Sequence, residues 1–307
     1  MFLVTLFLVL TLPAVIGNYE QEDKYKTDPT PIVLWHGMLS FGGLVSRLTY
    51  LIRRIIPLAY IKSLKIGSSG YSDYKNSLFM DVNRQVKQAC DMIADDPNLR
   101  RGYHGVGISQ GGQFLRAVAQ RCPNPPMFNL ITLGAQHQGY YSLGKNLFSL
   151  PEFFVDKHSY WEYIRKKSIV VNQLWHDPIN HNKYVEENTF IADINNEKTL
   201  NVEYRTNLLK LKHLVLVKFD RDYMVVPRDS SWFGFYTEGQ DKEITNMINS
   251  KLYIEDRIGL QKLFNNARLH TIVCPGLHIQ IENDWFVDNI VLPWLTQTYW
   301  DETVQLS

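Results

Sequence analysis

The fold is decided by the stretch Gly105-Val106-Gly107-Ile108-Ser109-Gln110-Gly111, which holds a G-x-S-x-G pattern. Its first four residues are an apolar run that predicts a buried strand ending at Ser109. The following segment, Gln113–Arg121, has apolar residues at helical spacing and predicts a helix. A serine on a sharp turn between strand and helix exposes its hydroxyl, and small flanking residues let this strained turn pack. The stretch therefore predicts a nucleophile elbow with Ser109 at its tip.

Three further apolar runs of strand length end at polar residues. Alternation of such runs with Gly-marked turns and helical periods predicts an α/β fold with a mostly parallel central sheet. In a parallel sheet the loops after the strands collect on one edge, where ligands bind. We therefore expect these polar residues on the same side as Ser109. The runs and the residues after them are Pro31–Trp35 with His36-Gly37, Leu214–Phe219 with Asp220–Asp222, and His270–Cys274 with Pro275–His278.

A serine hydroxyl reacts only when a base takes its proton and an acid orients that base. In hydrolases with this elbow, the acid and then the histidine follow the serine along the chain. Asp220, Asp222 and Asp229 are the candidates for the acid; Asp222 is favoured because the strand must turn before its carboxylate reaches a histidine. His278 is favoured as the base because His270 begins the last run at its opposite end. Five further histidines have no motif around them and are interpreted as surface or hydrogen-bonded residues: His104, His158, His176, His181 and His213.

An oxyanion hole needs backbone N–H groups aimed at the developing negative charge. The usual donors are the residue after the nucleophile and the loop after the early strand. These positions predict Gln110 as the first donor. They predict Met38 as the second, because Gly37 lets the backbone turn inward.

Composition and charge limit the class of protein. The 307 residues carry 32 Lys+Arg against 31 Asp+Glu, a net charge of +1, so nucleic acid is excluded as the main ligand. The 45% hydrophobic content is that of a globular chain with a core. Length allows two domains or one α/β domain with an insertion. Nine of the 36 residues of Tyr140–Trp175 are aromatic, which favours a helical insertion there.

The amino-terminal segment has the pattern of a secretory signal peptide. Residues 1–18 carry no charge, and Phe2–Leu12 is apolar apart from two threonines. That run is shorter than the roughly 20 residues of a membrane span. Val15 and Gly17 are small residues at the −3 and −1 positions of a cut after Gly17. We expect a signal peptide over 1–17, with a short membrane anchor as the alternative.

Cysteine content is low and shows no metal-ligand spacing. In an oxidising lumen, three cysteines suggest one bridge and one buried thiol. Cys90 lies on a predicted helix and Cys122 ends another, so this pair is favoured for a disulfide. Cys274 lies in an apolar run, where a small apolar residue is expected. We predict no metal and no cofactor.

Several segments together resemble the palmitoyl-protein thioesterases, in particular their lysosomal type. The resemblance extends from about Pro31 to Leu295. The segments that carry it are Trp35-His36-Gly37-Met38, Gly107–Pro123, Gln136-His137-Gln138-Gly139, Tyr160-Trp161, Trp175–Ile179, Ala192–Asn195 and Ser231–Tyr236.

The resemblance implies an α/β-hydrolase that removes palmitoyl and other long-chain acyl groups from S-acylated cysteines. By position, the family's catalytic residues fall on Ser109, Asp222 and His278, its oxyanion donors on Met38 and Gln110, and one disulfide on Cys90 and Cys122. It implies a hydrolase domain over 18–307, with an acyl-binding insertion at about 139–209. The expected partners are S-palmitoylated proteins or peptides and fatty acyl thioesters, without nucleic acid or a stable membrane span, and the protein is expected to be a monomer.

Two other functions are compatible with these residues. An oxygen-ester lipase would use the same serine, acid and histidine, and a non-catalytic lipid-binding protein could keep the fold. The expected location is the lysosome or the exterior of the cell. The sequence has no N-x-S/T sequon, however, so sorting through phosphorylated N-glycans has no acceptor site in it.

Overall fold

A central parallel sheet organises the chain. The structure is a computed structural model that describes residues 28–40, 43–143 and 168–299. Six strands pair in the order β10-β6-β4-β3-β1-β2, all in parallel. The strands of the sheet are β1 (Ile32–Trp35), β2 (Ile61–Ser63), β3 (Tyr103–Ile108), β4 (Met127–Leu133), β6 (His213–Phe219) and β10 (Leu269–Cys274). The predicted α/β class with a mostly parallel sheet is confirmed.

Helices lie between these strands along the chain and after the last of them, β10. The longer ones before β6 are α1 (Gly43–Ile55), α2 (Gly70–Phe79), α3 (Val82–Ala94) and α4 (Gln110–Arg121). Between β4 and β6, the described residues form four short helices, namely α5 (Ile169–Leu174), α6 (His181–Glu187), α7 (Ile191–Ile194) and α8 (Val202–Leu208). The carboxyl-terminal part contains α9 (Lys251–Ile254), α10 (Leu260–Asn265), α11 (Asn283–Phe286) and a π-helix over Val287–Leu295.

Short elements complete the description. Two antiparallel pairs join β5 (Ser142–Leu143) to β7 (Val225–Val226) and β8 (Phe235–Tyr236) to β9 (Ile244–Thr245). Three 3₁₀ turns lie over Pro97–Leu99, Arg228–Trp232 and Met247–Asn249. The β5–β7 pair connects the segment after β4 to the loop that follows β6, close to Asp222.

The sheet is covered on both faces, because side chains of a strand point alternately to opposite sides. In β1, Ile32 and Leu34 join the cluster that contains α1, whereas Val33 and Trp35 join the cluster that contains α3 and α4. Helix α1 buries Val45, Leu48, Leu51 and Ile52, a spacing that puts one apolar stripe on the sheet. This burial on both faces explains the continuous apolar runs in the sequence.

Helix α4 is the most deeply buried helix of the described chain. Every residue from Gln110 to Gln120 is buried, and Phe114 packs edge to face on Trp35 at 5.3 Å and on Phe190 at 5.7 Å between ring centroids. Phe190 lies between α6 and α7, in the segment between β4 and β6. The helix that follows Ser109 is therefore packed between the sheet and the helices of the predicted insertion.

Cysteine positions agree with the prediction. Cys90 of α3 and Cys122, just after α4, form a disulfide, and Cys274 is a buried free cysteine. Burial raises the pKa of the Cys274 thiol to about 12, so this thiol stays protonated.

Two expectations fall partly or wholly outside the described residues. The predicted signal peptide over 1–17 lies outside them, and so does much of the aromatic-rich segment Tyr140–Trp175. At the described ends of that segment, Tyr140 is buried and its hydroxyl donates to the Val171 carbonyl at 2.6 Å. Among the described residues, no helix is long and apolar enough to cross a membrane.

Candidate active site

Ser109 lies on a strained turn between β3 and α4. Its φ of 53° and ψ of −126° are unusual for a residue with a side chain, which is the geometry expected of a nucleophile elbow. The flanking glycines are required by close packing. A Cβ at Gly107 would lie 2.2 Å from Cα of Gly112, and one at Gly111 would lie 2.3 Å from the Trp35 carbonyl oxygen. The turn therefore brings the start of α4 against the end of β1.

The histidine and the carboxylate predicted for Ser109 lie beside it. Nε2 of His278 is 2.9 Å from Oγ of Ser109, and Nδ1 of His278 is 2.7 Å from Oδ2 of Asp222. The other carboxylate oxygen of Asp222 accepts hydrogen bonds from the backbone N–H groups of Met224 at 2.8 Å and Val225 at 3.1 Å. These bonds hold the carboxylate in one orientation, and its side chain is fully buried.

The alternative acids, Asp220 and Asp229, and the alternative base, His270, contact other groups. Asp220 accepts from the Gly276 N–H at 2.7 Å, which joins the loops after β6 and β10. Asp229 forms an ion pair with Lys218 at 2.8 Å. His270, at the start of β10, has its Nε2 3.0 Å from Nδ1 of His213. The structure thus brings together Ser109, His278 and Asp222, whereas the three alternatives contact other residues.

The loop after β1 lies against Ser109. A Cβ at Gly37 would be 3.0 Å from Cβ of Ser109 and 3.3 Å from the Ile108 carbonyl oxygen, so the backbone of this loop packs closely against the serine. Met38 follows directly and lines the same cavity as Ser109. Gln110 is buried at the start of α4, and its side chain donates to the Ser77 carbonyl at 3.2 Å. Both predicted oxyanion donors are therefore next to the serine, and their role stays a prediction.

A buried ion pair behind this loop was not predicted from the sequence. Nε2 of His36 is 2.8 Å from Oδ2 of Asp73 in α2, and Nδ1 of His36 is 2.8 Å from the Gly37 carbonyl oxygen. Burial by itself lowers the pKa of His36, but the hydrogen bonds to Asp73 and Gly37 and the charge of Asp73 raise it above its ordinary value of 6.5. The only sequence signal was His36 itself at the end of β1, because nothing near Asp73 marks it as a partner.

A cavity of about 360 Å³ opens at Ser109. Its polar lining residues are Ser40, Ser109, Gln136 and His278, and the rest of its wall is mostly apolar. The apolar lining residues are Met38, Leu39, Leu44, Ile108, Tyr223, Met224, Val225 and Ile279. Such a wall suits an aliphatic chain whose reactive end reaches Ser109.

Within residues 28–40, 43–143 and 168–299, no group of three or more His, Cys, Asp or Glu side chains is placed to hold a metal ion.

The fold and this geometry define the class. A parallel sheet with helices on both faces and a serine on a strained turn directly after a central strand is the architecture of the α/β hydrolases. Comparison with known proteins narrows this class. The chain belongs to the palmitoyl protein thioesterase family, whose sequence model matches residues 31–278.

Individual relatives agree with this membership. The chain is 44% identical to palmitoyl-protein thioesterase 1 of Caenorhabditis elegans over 88% of its own length and 93% of the relative's. It is 32% identical to palmitoyl-protein thioesterase 3 of Dictyostelium discoideum, covering 86% and 92% of the two chains. The human lysosomal thioesterase PPT2 is 27% identical, with 94% of each chain covered.

Proposed function

We propose that this protein is a serine thioesterase that removes palmitoyl and other long-chain acyl groups from S-acylated cysteines of proteins or peptides. The observation that carries the proposal is the chain of contacts from Ser109 through His278 to Asp222, at 2.9 and 2.7 Å, next to a largely apolar cavity. Family membership supports the thioester as the bond that is cleaved.

The geometry supports a two-step acyl transfer. His278 accepts the Ser109 proton as the serine oxygen attacks the thioester carbonyl, while Asp222 holds the imidazole in place. The backbone N–H groups of Met38 and Gln110 stabilise the oxyanion, each by roughly 3 kcal/mol. The carbon–sulfur bond then breaks, and His278 gives its proton to the leaving cysteine thiolate.

Deacylation repeats the same chemistry with water. His278 takes a proton from a water molecule, the resulting hydroxide attacks the acyl-Ser109 ester, and the proton returns to Ser109 as the fatty acid leaves. The acyl chain is held by the apolar wall, because each buried methylene contributes about 0.8 kcal/mol. Substrate binding through apolar contacts needs no strong electrostatic field around the protein, which agrees with its net charge of +1.

We also propose the division of the chain and its destination. Residues 1–17 are a signal peptide, and 18–307 form one hydrolase domain whose insertion at about 139–209 contributes to acyl binding. The protein then enters the secretory pathway and acts as a monomer in the lysosome or outside the cell. Relatives named lysosomal thioesterases support the lysosome.

Replacement of the nucleophile tests the function directly. We expect Ser109→Ala to reduce hydrolysis of an S-palmitoyl peptide by at least about 10³-fold. A fluorophosphonate probe should label the wild-type protein and fail to label the variant. Retained palmitoyl-thioester hydrolysis in purified Ser109→Ala would refute the proposal.

A comparison of substrates distinguishes the proposed thioesterase from the two alternatives, an oxygen-ester lipase and a non-catalytic lipid-binding protein. The wild-type protein is assayed on a matched pair of substrates that differ only in a thioester or an oxygen ester at the acyl bond. We expect a higher kcat/KM on the thioester. A clear preference for the oxygen ester would indicate a lipase, and acyl-chain binding without turnover of either substrate would indicate a lipid-binding protein.

A further inference from the structure

The His36–Asp73 pair lies directly behind the loop that carries Met38. His36 is 5% and Asp73 is 7% exposed, so both groups are removed from solvent. Burial of two polar side chains costs free energy unless their hydrogen bonds are made. Here they are made: His36 contacts Asp73 with one ring nitrogen and the Gly37 carbonyl with the other, and Asp73 also accepts from the Ile66 N–H at 2.8 Å.

The chemistry of the partners fixes one proton of His36. A carbonyl oxygen can only accept, so Nδ1 of His36 carries a hydrogen and donates it to Gly37. The remaining nitrogen, Nε2, shares a proton with the Asp73 carboxylate. Asp73 therefore sets the orientation of the ring and keeps its donor side facing the Gly37 carbonyl.

That carbonyl belongs to the same peptide group as the Met38 N–H. A trans peptide is planar, so its C=O and N–H point in opposite directions. Holding the Gly37 oxygen on the His36 side therefore fixes the direction of the Met38 N–H on the other side. His36 acts on this N–H without touching the serine.

Helix α2 also holds the neighbouring groups. Oγ of Ser77 accepts from the Leu39 N–H at 3.1 Å, one residue beyond Met38. The Ser77 carbonyl accepts from the Gln110 side chain at 3.2 Å. Asp73 and Ser77 are one turn apart on the helix, so a single face of α2 contacts both the loop that carries Met38 and the side chain of Gln110 at the start of α4.

We propose that Asp73 and His36 are positioning residues that aim the Met38 N–H at the oxyanion formed on Ser109. The proposal rests on the proposed function, since it assigns the orientation of a donor in that reaction. The positioning role predicts that loss of the His36–Asp73 contact lowers kcat, because the oxyanion exists only in the transition state and the tetrahedral intermediate. A purely structural pair would lower stability without a specific loss of kcat.

Three variants test the positioning role with an S-palmitoyl peptide as substrate. His36→Ala removes the donor to Gly37, and we expect kcat to fall by about 30- to 100-fold with KM changed less than threefold. Asp73→Ala frees the ring, and we expect a fall in kcat of about tenfold. Asp73→Asn should keep kcat within about threefold of wild type. Its amide nitrogen can donate to Nε2 of a neutral His36 while its oxygen accepts from Ile66.

Asp96→Ala is the matched control. Asp96 is also 7% exposed and pairs with Lys62 and Tyr60, at the opposite end of the sheet strands from Ser109. We expect its melting temperature to fall about as much as that of Asp73→Ala, with kcat within about twofold of wild type. Equal kcat losses in these two variants, or equal losses in Asp73→Ala and Asp73→Asn, would overturn the positioning role.

The activity of the wild-type protein shows whether a negative result refutes the positioning role alone or the proposed function as well. An active wild type with unchanged kcat in folded His36→Ala refutes the positioning role alone. If His36→Ala does not fold, the comparison of Asp73→Ala with Asp73→Asn decides in its place. A wild type that hydrolyses no acyl thioester refutes the proposed function and, with it, this inference.

Discussion

At the scale of single residues, the site depends on which carboxylate reaches His278. The three aspartates after β6 are close together in the sequence but make different contacts. Asp222 turns back towards His278 because the Met224 and Val225 N–H groups bind its carboxylate, whereas Asp229 pairs with Lys218. A histidine with its carboxylate in place is held in the tautomer that accepts the serine proton.

The choice of Asp222 as the acid can be measured. We expect Asp222→Asn to lower kcat on an S-palmitoyl peptide by about 10³- to 10⁴-fold with little change in KM, because the amide no longer stabilises the imidazolium. Asp229→Asn is the control and should stay within about twofold of wild type. A result in which Asp229→Asn is the more damaging variant would assign the acid differently.

At the scale of secondary-structure elements, the disulfide joins α3 to the end of α4. Cys90 and Cys122 are separated by 32 residues, so the bridge closes a loop of that length in the unfolded chain. The loss of unfolded-state entropy for such a loop is about 3 to 4 kcal/mol in the loop-closure description. The bridge therefore stabilises the position of α4, whose amino-terminal end holds Ser109.

Removal of the bridge should therefore destabilise the protein without changing its chemistry. We expect Cys90→Ala with Cys122→Ala to lower the free energy of unfolding by about 2 to 4 kcal/mol in denaturant titrations. Reductant should destabilise the wild-type protein and have no further effect on the double variant. An unchanged free energy of unfolding in the double variant would contradict this expectation.

At the scale of the whole molecule, one acidic group links stability to pH. Glu197 lies after α7 and accepts a hydrogen bond from the Tyr184 hydroxyl at 2.8 Å. Burial raises its pKa from 4.5 to about 7, although the Tyr184 hydrogen bond and the charges of Arg257 and Arg116 act in the opposite direction. The native protein therefore holds this proton in a range where the unfolded chain has released it.

The sign of the effect follows from the proton count. Between about pH 4.5 and 7 the native state binds more protons at Glu197 than the unfolded state, so stability falls as pH rises through this window. We expect Glu197→Gln to remove this contribution and flatten the curve of unfolding free energy against pH. The measurement is denaturant unfolding at pH 5, 6, 7 and 8. A variant curve parallel to that of wild type would contradict the assignment.

Much of the fold and the centre of the site could be predicted from the sequence. The strand, glycine turn and helix around Ser109 are local features, because strand burial, close backbone packing and helical spacing depend on adjacent residues. The order of Ser109, Asp222 and His278 along the chain also follows from the motif. Strands β2 and β4 were not among the predicted runs, and β2 has only three residues and no fully buried side chain to reveal it.

The sequence by itself determined the α/β class, the elbow at Ser109 and the candidates for its partners, because each of these is written in short segments. The sequence already favoured Asp222, and the tertiary structure gave its distance to His278. Only the tertiary structure paired His36 with Asp73, 37 residues away. Such pairings depend on how α2 and the loops after β1, β6 and β10 meet at one edge of the sheet. Long-range packing sets that meeting point, and no residue pattern within one segment encodes it.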